Sequence, residues 1–113
     1  MNPGILRHRI TIQKYGPVEN SIGEKTLGYQ DDYSIWAKIE PVSGRDRERL
    51  GKSETEVSHK VLIRYRTGIT PANRILYNGR IFEIIVPINN GELNKTMTIF
   101  CMEKDEDNGY DGV

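Results

Sequence analysis

Apolar residues recur at every second position along most of this chain, a period that belongs to β-strands and not to helices. Arg7 to Lys14 sets His8, Ile10 and Ile12 against Arg9, Thr11 and Gln13. Tyr33 to Glu40 places Ile35, Ala37 and Ile39 on one face and Trp36 on the other, and Pro41 stops the run. Glu56 to Arg66 puts Val57, His59, Val61, Ile63 and Tyr65 together, opposite Ser58, Lys60, Leu62 and Arg64. Arg74 to Tyr77 and Arg80 to Val86 flank Asn78-Gly79, a pair that tolerates the positive φ of a tight two-residue hairpin turn. Lys95 to Glu103 is the last alternating run. About six strands joined by short turns close best into a small barrel, because closure removes exposed edges. The expected fold is therefore all-β, a small barrel with a long polar loop or short helix inserted after the second strand.

Two segments break the period. Gly16 to Asp32 is polar and carries Gly16, Pro17, Gly23 and Gly28, so it reads as a long loop or a ragged hairpin. In Ser43 to Ser53, Ser43-Gly44-Arg45-Asp46 can cap a short helix through Leu50, which Gly51 would end. That segment is charged almost throughout, and Leu50 is its one apolar residue. It can add little to a core, so it is expected to face solvent, to move, or to be held from outside the monomer.

With 113 residues the chain is expected to form one domain. We assign residues 1–104 to the barrel and 105–113 to an acidic tail. No apolar run approaches the ~20 residues that span a bilayer. Met1 to Arg9 has no apolar stretch behind a basic start, which leads us to expect folding in the cytoplasm. The lone Cys101 sits in an alternating run and reads as a small buried hydrophobe. The formal net charge is zero, but its distribution is uneven. From Lys60 to Arg80 every charge is basic, whereas Glu103, Asp105, Glu106, Asp107 and Asp111 crowd the end against Lys104. Such an arrangement fits plain solubility, or two faces made for different neighbours.

Chemistry-bearing patterns are sparse. His8 and His59 lie far apart in sequence, each on the apolar face of its strand, and read as core or rim residues. Only if their strands were neighbours could they make an acid–base pair. No phosphate-cradling glycine motif or nucleophile elbow is present. The tail lacks the register of a calcium loop. No catalytic residue, metal or cofactor is therefore expected. Arg64 and Arg66, and the set Arg45, Arg47, Arg49 and Lys52, can meet phosphate without reading sequence.

Several stretches in order resemble the phage head–tail joining, or head closure, proteins. They are Gly4 to Gln13, Trp36-Ala37-Lys38-Ile39-Glu40-Pro41-Val42-Ser43-Gly44-Arg45, Ile63 to Pro71, the hairpin Tyr77 to Ile84, and the final strand through Glu103. The resemblance runs from about residue 4 to 104 and implies a structural β-barrel, not an enzyme. It implies a ring, expected to be a dodecamer, below the portal and its adaptor, joined to a tail completion or tail tube protein. It places the chain at the virion head–tail connector, with packaged double-stranded DNA as a non-specific partner and no membrane partner. A loop projecting into the channel would hold the genome; Arg45, Asp46, Arg47, Glu48, Arg49 and Lys52 fall in the matching segment and would contact the lumen or neighbouring copies. On the residues themselves, Arg64 and Arg66 would face DNA, and Asp105, Glu106, Asp107 and Tyr110, in an acidic tail where the chain departs from that family's pattern, would form a docking tail. The competing reading is a nucleic-acid-binding module of OB or SH3-like barrel type.

Overall fold

The alternating runs pair into one closed sheet. The computed structural model describes residues 6–50 and 56–104, apart from the Arg49 side chain. Its strands are β1 (His8–Glu19), β2 (Lys25–Pro41), β3 (His59–Arg64), β4 (Arg74–Tyr77), β5 (Arg80–Asn89) and β6 (Thr96–Lys104). Among the described residues, a helix, α1 (Gly44–Leu50), stands between β2 and β3, and a 3-10 turn (Asn90–Glu92) links β5 to β6. The order around the barrel is β1-β2-β3-β6-β5-β4, and β4 returns to β1. Every pairing is antiparallel.

Closure turns one face of each strand inward. Ile10, Ile12, Ala37, Val61, Ile63, Ile75, Phe82, Ile84, Met97, Ile99 and Cys101 make the core, with Ile69 from the β3–β4 connection. Phe82 is its largest fully buried side chain. Cys101 packs there as the small hydrophobe expected. Tyr77 pairs with Arg80 across Asn78 (φ 51) and Gly79 (φ 78), which are the two positive φ angles a tight hairpin turn needs.

Gly16 to Asp32 resolves as a hairpin. β1 and β2 stay paired to Glu19↔Lys25, well past the barrel wall. A bulge after Ile12 moves the β1 partner from Tyr33 to Asp31. Bulges bend and twist a pair, and β1 pairs with β4 only over Thr11–Gln13. Beyond that point β1 and β2 pair with each other alone, as an arm on a molecule measuring 47 × 29 × 22 Å. The tip is organised by Asn20, whose Oδ1 accepts from the Ile22 and Glu24 amides at 3.0 and 2.9 Å. Pro17 has no N–H to give, which an outer arm strand tolerates.

Ser43 and Asp46 cap α1 reciprocally. The Asp46 amide donates to Ser43 Oγ at 3.2 Å, and the Ser43 amide and hydroxyl both donate to Asp46 Oδ2 at 2.9 Å. The base of the insertion is closed where the Val42 amide donates to the Ser58 carbonyl at 3.1 Å. Gly51, the expected helix stop, lies outside the described residues.

Candidate functional site

Alternation decides which side chains reach the outer wall. With Ile10 and Ala37 inside, their neighbours Arg9 and Trp36 point out, and the register places them directly opposite each other. The Arg9 guanidinium lies 5.2 Å from the Trp36 ring centroid, and the indole remains half exposed. Just past β3, the Tyr65 amide donates to the Lys95 carbonyl at 3.0 Å, fixing the chain as it leaves the wall. Arg66 then lies over the Tyr33 ring, 3.9 Å from its centroid. Burial is the main cause that raises the Tyr33 pKa, opposed by the Arg66 charge. Arg9, Arg64 and Arg66 line a notch of about 310 Å³ with Leu6, Ile35, Trp36 and Tyr65, and no carboxylate is among its described lining residues. Arg64 and Arg66, the basic pair singled out in the sequence, thus line one notch. Arg9 and Trp36 were missed as their partners, because only the β1–β2 register brings them alongside.

The α1 segment is tied to the wall more firmly than its composition implied. Lys60 Nζ sits 2.9 Å from Asp46 Oδ2 and 4.0 Å from Glu40, which also meets Lys38 at 3.0 Å. The Ser43 amide, first, and then Lys60 lower the Asp46 carboxyl pKa from 3.8 to about 2. Of the three alternatives expected for the segment, facing solvent holds for Ser43, Gly44, Arg45, Arg47 and Glu48, and Asp46 is the exception. Asp46 is buried, because capping the helix turns it inward and Lys60 neutralises it. Arg45, Arg47 and Glu48 stay on the exposed side. Lys52 and the tail residues Asp105, Glu106, Asp107 and Tyr110 lie outside the described residues, as does the Arg49 side chain.

The histidines are kept apart. β2 stands between β1 and β3, so the condition for an acid–base pair is not met. His8 Nδ1 accepts from the Ile39 amide at 3.3 Å, and its ring meets Tyr77 edge-on. His59 packs edge-on against Phe82, and its Nδ1 lies 2.9 Å from Ser58 Oγ. Its Nε2 is 3.9 Å from Glu103, beyond a hydrogen bond. Arg80 grips both Glu103 oxygens, at 2.9 and 3.1 Å, which holds the Glu103 pKa down. Burial is the main cause that lowers the His59 pKa. The group works as a clasp on one end of the barrel. No cluster of three or more potential metal ligands occurs among the described residues.

These features define a class: a small closed antiparallel barrel bearing an arm, a charged insertion and a basic–aromatic notch. The phage head completion protein family matches it over residues 1–104, and the chain belongs to that family, whose members are structural proteins of the virion. It is 26% identical to head completion protein gp16 of Bacillus phage SPP1, over 91% of this chain and 93% of that one. It is 22% identical to head completion protein gp7 of Enterobacteria phage HK97, over 89% and 95%. The solution structure of protein SF1141 from Shigella flexneri 2a superposes with a TM-score of 0.75 at 30% identity, covering 94% of this chain and 99% of that one. A chain in the virion of a native gene transfer agent particle shares the fold, with a TM-score of 0.61 at 20% identity, over 88% and 96%.

Proposed function

We propose that this head completion protein forms a ring below the portal–adaptor complex, receives the tail, and helps close the DNA channel with the segment between β2 and β3. It acts by contact and not by catalysis. One observation carries the reading. The segment leaves the barrel between Val42 and Ser58, whose hydrogen bond closes its base, so it is an insertion whose two ends the wall brings together. Its outward residues Arg45, Arg47 and Glu48 carry mixed charge. In a ring, mixed charge of this kind supports weak salt bridges between copies, and the basic groups meet DNA phosphate without reading sequence. A strongly positive lining would hinder ejection, so near balance suits a channel. The acidic tail would dock on a neighbour in the assembly.

Electron microscopy of particles made without this protein tests the role. Filled heads that leak DNA and lack tails are the expected result, and complete tailed particles with retained genome would refute it. Charge reversal of Arg45, Arg47 and Arg49 together is expected to impair DNA retention while heads still fill. The nucleic-acid-module reading is favoured by one observation, the exposed Trp36 beside Arg9, Arg64 and Arg66. It requires salt-dependent binding of DNA by the isolated chain, lost on replacing Arg64 and Arg66.

A further inference from the structure

We propose that the notch of Arg9, Trp36, Arg64 and Arg66 receives the acidic segment 105–111 of the next copy of this chain, so that each barrel carries both halves of a head-to-tail contact. The inference rests on the ring reading above and names the contact that would build the ring.

The first argument is complementarity. The notch presents three guanidiniums, and its described lining holds no carboxylate. The segment offers Asp105, Glu106, Asp107 and Asp111, the densest acidic run in the sequence. Arg66 lies on Tyr33 and Arg9 near the Trp36 ring, which leaves guanidinium edges to donate to carboxylates. The notch also has an apolar floor in Leu6 and Ile35, beside the half-exposed indole. A concave apolar floor under a cationic rim suits a peptide that brings an aromatic side chain, as Tyr110 would. Duplex phosphates lie along a convex surface and would touch the rim while leaving the floor empty.

The second argument is reach. Arg64 pairs with Thr96, the first residue of β6, whereas the tail departs after Lys104, the last. Eight steps of about 3.3 Å separate those ends by roughly 27 Å. Asp105 to Asp107 extend at most about 11 Å from Lys104. Asp111 reaches about 25 Å only if fully extended. A copy therefore cannot place Asp105, Glu106 and Asp107 in its own notch, and for these three a neighbour's must fill it. Donor and acceptor at opposite ends of one subunit make a heterologous contact, the kind that closes rings.

Trp36 is the only tryptophan, so its emission reports on the notch alone. The test adds a synthetic peptide of residues 104–113 to the full chain at a concentration where it is monomeric. A saturable blue shift is expected, with the half-effect concentration rising about tenfold or more between low and high salt. Arg64→Glu with Arg66→Glu should abolish it with only a small fall in Tm, since both side chains are exposed and only the Arg66–Tyr33 ring contact is lost. A peptide carrying Asp105→Asn, Glu106→Gln and Asp107→Asn should not shift the emission. In particles, the double variant should lose the ring, and Asp105→Lys, Glu106→Lys and Asp107→Lys added to it should restore the ring. No shift with the acidic peptide overturns the proposal, as does a shift produced by duplex DNA and not by peptide. A ring seen in wild-type particles without peptide binding would leave the ring reading standing and the notch contact refuted. Peptide binding with no ring in particles would do the reverse.

Discussion

Asp46 shows how one side chain can hold an appendage to a barrel. It caps α1, accepts from Ser43 and meets Lys60, and its pKa falls from 3.8 to about 2. Because the folded pKa lies below the ordinary value, folding favours the ionised form. That stabilisation is complete above about pH 4 and is lost as pH falls toward 2. Asp46→Asn is expected to cost about 1 kcal/mol at neutral pH, in the range of a lost helix cap, and to flatten the acid limb of stability. Thermal melts followed by circular dichroism from pH 2 to 7 check both. Cys101 makes a second case. Burial pushes its thiol up to about 12, and no part of it reaches solvent. It should resist a thiol reagent such as Ellman's in the folded chain and react only at the unfolding rate, as absorbance would show. Its alternating context had already pointed inward. The partner of Asp46 could not be read in this way, since Lys60 stands on another element.

Among the elements, the β4–β5 hairpin was the easiest to foresee and the β1–β2 arm the hardest. Asn78-Gly79 encodes its own turn, and both residues adopt the positive φ that it needs. Gly79→Ala puts a Cβ in left-handed backbone at about 1–2 kcal/mol, which should lower Tm by about 5 °C or more in a calorimetric scan. The arm carries Gly16, Pro17, Gly23 and Gly28, punctuation that normally marks loops. Its strands nevertheless pair from His8↔Ala37 to Glu19↔Lys25. A ladder between two long partners outweighs local propensity, and the glycines face one another at Gly16↔Gly28, where neither strand has a side chain to place.

Across the whole molecule, closure joins residues that sequence keeps apart. The core is one cluster fed by all six strands, and Phe82 is its largest fully buried member. Phe82→Ala should cost about 3–5 kcal/mol, most of the stability of a domain this small if that lies near the lower end of the ordinary 5–15 kcal/mol. Denaturant unfolding should show a midpoint collapse, and the variant should fail to enter particles. Closure also sorts the surface. It puts the clasp of His59, Arg80 and Glu103 at one end of β6 and the arginine notch at the other. A subunit with different chemistry at its two ends is suited to repeating head to tail.

Composition and period were enough for the class of fold, the inward face of most strands, the turn at Asn78-Gly79 and the cap at Ser43–Asp46. Each of these is local, settled within a few residues by side-chain size, alternation or backbone tolerance. Register was not local. Arg9 beside Trp36, Arg66 over Tyr33 and Asp46 against Lys60 join different strands or a helix to a strand. Their meeting depends on where each strand stops along its partner, and on the bulge after Ile12. Those choices are made by the sheet as it closes on one shared core, so the notch and the anchored insertion exist only in the folded barrel.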